Sequence, residues 1–228
     1  MNRIILALDT PNLTEALDIT KKIKNKIFTV KLGLEFFNAH GKEGVKKFNQ
    51  IGIKNLMLDL KLKDIPETVY KSIKALDDIE FGYLTIHGQG GKEMIRKAKE
   101  AANENKCKPQ IMMVTILTAL NDADLKDMGV NNSVTQQVKN LASIAKEMEV
   151  GVICSGQEAK IVRNILGSNL LIFTPGIRLS NNQNNDQKRV CTPSESIGNG
   201  SDKIIMGRSL INGNIDDNLN KINNSLKT

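Results

Sequence analysis

Short apolar runs and amphipathic stretches alternate along the whole chain, and that alternation limits the fold more than any other feature. The apolar runs are RIILALD (3–9), IFTVKLG (27–33), NLMLDLK (55–61), FGYLTIH (81–87), QIMMVTIL (110–117), VGVICS (150–155), LLIFTPG (170–176) and DKIIMGR (202–208). Between them lie stretches with apolar residues three and four apart, among them 14–24, 41–50, 65–77, 91–104, 133–148 and 156–166. That spacing marks one face of a helix. Eight such units in 228 residues predict an α/β fold, a (β/α)8 barrel of the TIM-barrel class. A doubly wound open sheet is the alternative, but its usual GxGxxG after the first strand is missing. DTPN stands there instead.

No Pro/Gly/Ser-rich or highly charged spacer divides the chain, so a single domain over 1–228 is expected. Hydrophobic residues make up 40% and charged residues 25%, the balance of a soluble globular protein. The opening MNRIILALDTPN has too short an apolar run for a signal peptide. No stretch approaches the ~20 apolar residues of a membrane span. Cys107, Cys154 and Cys191 are odd in number, widely spaced and without CxxC. Neither a disulfide framework nor a zinc site follows, and a cytoplasmic location is expected.

The formal charge of +7 suits either nucleic acid or anionic small molecules. The lysines, however, are scattered along helices such as TKKIKNK and GKEMIRKAKE, with glutamates among them. They lack the aromatic interleaving that single-stranded nucleic acid needs, so no nucleic-acid partner is expected.

Polar residues gather at the C-terminal ends of the expected strands: Asp9, Lys31, Asp59, Lys61, His87, Thr118, Ser155, Arg178 and Arg208. In a barrel these ends share the rim where barrel enzymes keep their active sites. GQGGK at 88–92 lacks the Walker spacing and the Ser/Thr after Lys, and reads as a turn and helix start.

DLKLKDIP at 59–66 is the most charged of these strand ends. Alternate residues of a strand share a face, which puts Leu56, Leu58, Leu60 and Leu62 against the helix layer. Met57, Asp59, Lys61 and Lys63 then point the other way, with Asp59 and Lys61 side by side and Lys31 on the neighbouring strand. Asp64 opens the next helix as a cap, with Pro66 in the first turn and Glu67 three residues on. A plain ion pair would explain Asp59 and Lys61, but not Lys31, Asp9 and the arginines on the same rim. A lysine flanked by carboxylates stays protonated. It is therefore suited to stabilising a developing anion and then protonating it, not to Schiff-base chemistry.

After the seventh strand comes TPGIR (174–178), and after the eighth MGRSL (206–210). Barrel enzymes often bind phosphate in these loops. Gly176 and Gly207 allow close backbone approach, and Arg208 supplies a fork suited to phosphate oxygens. The polar segment LSNNQNNDQKRVCTP (179–193) is long for a connecting loop. Gln187 within it matters if the segment folds over the phosphate.

These residues together resemble the orotidine 5'-phosphate decarboxylase family. DLKLKDIP is similar to its DxKxxDI signature, and LALD (6–9), VKLG (30–33), TILT (115–118), TPGIR, DQKR (186–189) and MGRSL follow in its order and spacing. The resemblance covers nearly the whole chain. It implies a homodimeric (β/α)8 barrel that converts orotidine 5'-monophosphate to UMP and CO2 without metal or organic cofactor. It further implies that Lys61 delivers a proton to pyrimidine C6, that Asp59 is set against the substrate carboxylate, and that Lys31 completes the charged network. Asp64 and Thr68 would reach across the dimer interface into the partner's site. Asp9 would contact the ribose, Thr118 and Ser155 would lie near the base, and Arg178, Gln187, Gly207 and Arg208 would form the phosphate side. The chain departs from the family pattern at HGQGG, where HAxGG is common, and at Thr85, where Asn is frequent.

Phosphosugar enzymes resembling 3-keto-gulonate-6-phosphate decarboxylase or hexulose-phosphate synthase also carry DxKxxD. Those relatives use Mg²⁺ and tend to have a glutamate at the second strand's end, where this chain has Lys31. The metal-free reading is therefore preferred.

Overall fold

The computed structural model describes residues 3–179 and 189–226. In chain order the elements are β1 (Ile4–Leu8), α1 (Leu13–Ile23), β2 (Thr29–Leu32), α2 (Leu34–Gln50), β3 (Met57–Leu62), α3 (Pro66–Lys74) and β4 (Tyr83–His87). A short 3-10 turn at Gly88–Gly90 leads into α4 (Lys92–Glu104) and β5 (Gln110–Val114), followed by α5 (Asp122–Asp127), α6 (Val134–Met148) and β6 (Gly151–Ile153). The chain continues through α7 (Ala159–Leu166), β7 (Ile172–Thr174), α8 (Pro193–Gly198), β8 (Lys203–Met206), α9 (Arg208–Ile211) and α10 (Ile215–Ser225). The eight strands follow one another in sequence order as a closed barrel, so the fold is the expected (β/α)8 barrel.

By internal contacts the chain divides into two compact units, Met1–Met113 and Val114–Thr228. In the first, β1, β2, β3 and β4 pair in parallel. Every residue of β1 and β2 is buried, as parallel strands covered on both faces require, and IILAL is accordingly an unbroken apolar run. Helix α4 buries Met94, Ile95, Ala98, Ala101 and Ala102, a stripe at three and four spacing. Helix α2 starts at Leu34, seven residues earlier than the periodicity predicts, and bends at Gly41, whose φ of 55° is non-helical. Before the bend Phe36 is the one buried residue among the described residues of α2, against Gly44, Val45 and Phe48 after it, too little apolar pattern for a periodicity count to read the first turns.

The even alternation expected along β3 fails. Leu58 lies opposite Leu84 but Leu62 lies opposite Ile86, so four residue steps on β3 (62 − 58) match two on β4 (86 − 84). Within this bulge Lys61 takes a left-handed backbone, φ 47°. Leu56 and Leu58 are fully buried, whereas Leu60 and Leu62 are half-buried. The four-leucine core face is therefore two leucines long, because the bulge turns the rest of the strand. Asp64 is not the cap of α3 either. Pro66 is the first helical residue and Ile65 the cap, at φ −57° and ψ 150°, since a residue before proline is driven to extended backbone. The Asp64 carboxylate instead accepts from the Ile65 N–H at 2.7 Å.

In the second unit β6, β7 and β8 pair in parallel. Ser133 caps α6 by accepting from the Gln136 N–H, and Thr192 with Glu195 forms a capping box on α8. At the end of β7 the buried Thr174 hydroxyl meets Ser196 Oγ at 2.6 Å and Ser201 Oγ at 2.7 Å. Helices α5, α8 and α9 are four to six residues long, too short for an apolar period to be read. No described helix is long and apolar enough to cross a membrane.

Candidate active site

Three consecutive strand ends of the first unit build a charged array. Lys31, on β2, places Nζ 3.0 Å from Asp59 Oδ2 and 3.4 Å from Asp9 Oδ1. Lys61 Nζ lies 2.9 Å from Asp59 Oδ1. Lys31 and Asp59 are buried, their side chains 9% and 11% exposed, while Lys61 is 31% and Asp9 57% exposed. Burial penalises both charges, and the mutual attraction outweighs it. For Asp59, burial pushes the carboxyl up, but Lys31 and then Lys61 hold it well below the usual carboxylate range. For Lys31, burial pulls the ammonium down, but Asp59 and then Asp9 leave its pKa above the ordinary lysine value. Both are charged at neutral pH.

Two residues that the charge pattern does not single out make this geometry possible. The buried Thr85 hydroxyl donates to Asp59 Oδ1 at 2.9 Å and accepts from the Lys61 backbone N–H at 2.9 Å. A β-carbon at Gly33 would lie 2.6 Å from Asp9 Oδ1 and 3.3 Å from Lys31 Nζ. A side chain here would push the Asp9 carboxylate from its place beside Lys31. VKLG contains the signal for Gly33, and YLTIH that for Thr85, but neither spacing says what the residue touches. His87, at the end of β4, is half-buried, and its Nδ1 has no hydrogen-bond partner among the described residues. Burial first, then Lys63 and Lys61, hold its pKa below that of free histidine, against Asp59.

Chemically, Asp59 receives three donors, from Lys31, Lys61 and Thr85, and is a fixed negative charge. Lys61, anchored by that charge and partly open, can offer a proton to a bound molecule. Asp64 and Thr68 lie at the start of α3 and are exposed. Their neighbour Ile65 is 67% exposed.

The second unit holds the remaining predicted residues. Arg178 follows β7, and its backbone N–H donates to the Cys191 carbonyl at 3.0 Å. Gly176 has a φ of 76°, a conformation open to glycine. Gly207 follows β8 and precedes the exposed Arg208. Ser209 Oγ donates to the Ile177 carbonyl at 3.2 Å, which ties the TPGIR and MGRSL loops together. Thr118 is half-buried beyond β5. Ser155 is fully buried, with Oγ donating to the Arg189 carbonyl at 3.4 Å and accepting from the Gln157 N–H at 3.2 Å. Gln187 lies outside the described residues.

Arg189, the last residue of DQKR, was not among the expected site residues. Its guanidinium pairs with the buried Glu158 carboxylate and donates to the Ile116 and Leu117 carbonyls at 3.1 and 2.9 Å. Glu158 in turn accepts from the Ser155 N–H at 3.1 Å. Burial pushes the Glu158 carboxyl up, with Arg189 acting against it. Arg189 thus joins the Ile116–Leu117 backbone of TILT to Glu158 and Ser155 beyond β6.

Comparison with known proteins is consistent over the whole chain. Residues 2–218 match the family model described as the Orotidine 5'-phosphate decarboxylase / HUMPS family. Orotidine 5'-phosphate decarboxylase of Wolbachia pipientis subsp. Culex pipiens is 42% identical over 211 residues, 92% of each chain. That of Ehrlichia canis is 42% identical over 210 residues, 92% of this chain and 90% of the relative. The crystal structure of orotidine 5'-phosphate decarboxylase from Lactobacillus acidophilus superposes with a TM-score of 0.86 at 31% identity, covering 100% of both chains.

Proposed function

The chain belongs to the orotidine 5'-phosphate decarboxylase / HUMPS family, and from that premise we propose that it converts orotidine 5'-monophosphate to UMP and CO2 as a single-domain enzyme. The observation that carries this reading is the Lys31–Asp59–Lys61 array: a buried, ionised carboxylate between two ammonium groups, with Lys61 Nζ 2.9 Å from Asp59.

Such an array suits loss of CO2 from C6. The C6–carboxylate bond breaks, its electron pair stays on C6, and a proton from Lys61 Nζ quenches the carbanion. An ammonium at the position where negative charge develops stabilises the transition state before it delivers the proton. Asp59 anchors and aims the Lys61 ammonium at 2.9 Å, and stands against the departing carboxylate. Lys31 keeps Asp59 ionised, and Asp9 contacts the ribose while holding Lys31. Thr118 and Ser155 serve the base side. Arg178, Gln187, Gly207 and Arg208 take the phosphate, whose remote binding energy can orient the reacting centre. Asp64 and Thr68, exposed beside the exposed Ile65, reach a partner's site in a homodimer working in the cytoplasm.

The phosphosugar reading needs a divalent cation among carboxylates. Here the Lys31 ammonium already stands between Asp9 and Asp59, where such a cation would meet its positive charge. A spectrophotometric assay of orotidine 5'-monophosphate in EDTA tests the proposal: full turnover is expected, and activity confined to a ketose phosphate with Mg²⁺ would overturn it.

A further inference from the structure

We propose that Thr85 is a positioning residue for the decarboxylation, its hydroxyl holding the Lys61 backbone and the Asp59 carboxylate in one fixed relation. The inference rests on the reading of Lys61 and Asp59 as the reacting pair. Thr85 is completely buried on β4, opposite the bulge where β3 gains two residues on its neighbour. At a bulge a backbone N–H leaves the ladder and needs another acceptor. The Lys61 N–H finds one in Thr85 Oγ1 at 2.9 Å.

The same hydroxyl has one proton to give, and it goes to Asp59 Oδ1 at 2.9 Å, the oxygen that also meets Lys61 Nζ. Both bonds of this one hydroxyl thus cross to β3 and end on the two proposed reacting residues. Lys61 sits at φ 47°, a conformation that side-chain-bearing residues adopt when the surroundings hold them there. Return of that backbone to the extended region would redirect its Cα–Cβ bond and carry Nζ away from Asp59. A β-branched threonine suits a buried strand, but valine would fill the same space. What valine cannot supply is the acceptor and the donor.

Thr85→Val and Thr85→Ser test this against wild type, with orotidine 5'-monophosphate as substrate. Thr85→Val should lower kcat about tenfold or more, the rate equivalent of one hydrogen bond to a charged group, with KM within about threefold because the phosphate grip lies elsewhere. Thr85→Ser, which keeps the hydroxyl, should hold kcat within about threefold of wild type. Amide hydrogen exchange at Lys61 should accelerate in Thr85→Val and not in Thr85→Ser, a readout independent of turnover. Should valine prevent folding, Thr85→Ala is expected to show the same kcat loss and faster exchange. A valine or alanine variant with kcat within twofold of wild type, a serine variant as impaired as the valine one, or unchanged Lys61 exchange would overturn the proposal. Absence of turnover by wild type would instead sink the decarboxylase reading, leaving the exchange result to judge the Thr85 contact.

Discussion

Asp59→Asn removes the centre of the array while keeping its shape. The largest consequence falls on Lys31, whose side chain is 9% exposed and whose Nζ is 3.0 Å from the carboxylate. At an effective dielectric constant near 20, a unit-charge pair at that distance attracts by roughly 5 kcal/mol. Removing one partner of a buried pair costs about 3–5 kcal/mol, because a desolvated charge is left behind. Lys31 keeps Asp9 at 3.4 Å, but that carboxylate is 57% exposed and its attraction is screened by water. Lys61 can turn its ammonium to solvent and loses little. The expected destabilisation is therefore about 3 kcal/mol, which for a chain of this length lowers Tm by roughly 6–12 °C.

Urea unfolding of wild type and Asp59→Asn across pH measures it. The Asp59 pKa is lowered in the fold, so its stabilisation is present above the unfolded value near ~3.9 and is lost as pH falls through the folded value. The Lys31 pKa is raised, so its share is present below about 10.4 and is lost as pH rises through the folded value. The gap between wild type and variant should be steady from pH 5 to pH 9 and shrink on acidification. A loss under about 1 kcal/mol at pH 7, or a gap that widens in acid, would refute the assignment of Lys31 and Asp59 as a buried, mutually charged pair.

Lys61→Ala should abolish decarboxylation while leaving Tm within a few degrees of wild type, since Lys61 is partly open and its neighbour Asp59 retains Lys31; measurable turnover by that variant would remove Lys61 from the chemistry. Mixing inactive Asp64→Ala and Lys61→Ala subunits should restore some activity, because one of the two mixed sites then carries both native residues, and failure of hybrids to recover any would count against a shared site. His87, whose pKa is lowered mainly by burial, should cost stability as pH falls below about 6.5, where the unfolded chain takes up a proton that the fold resists. His87→Gln should flatten the urea-measured stability between about pH 5 and pH 6.5, and an unchanged slope would disprove the lowered pKa of the half-buried histidine.

Much of the site was legible in order rather than in geometry. Asp9, Lys31, Asp59 and Lys61 stand out because charges at the ends of apolar runs are costly unless used, and the structure brings all four together. The ion pair of Glu158 and Arg189 was not legible, since the two are 31 residues apart and neither ends a strand. The cap at Ile65 was misread because proline overrides a good capping residue placed one position too early.

The sequence by itself determined the eight-unit rhythm, the identity of the charged strand ends and their family resemblance, because periodicity and residue order are local and survive without coordinates. Tertiary structure alone decided how DLKLKDIP is used. Strict alternation would have continued to Lys63, but pairing with β4 forces a bulge, turns Lys61 to φ 47° and hands its N–H to Thr85. Register between strands depends on both partners at once, so no reading of one strand could have shown it.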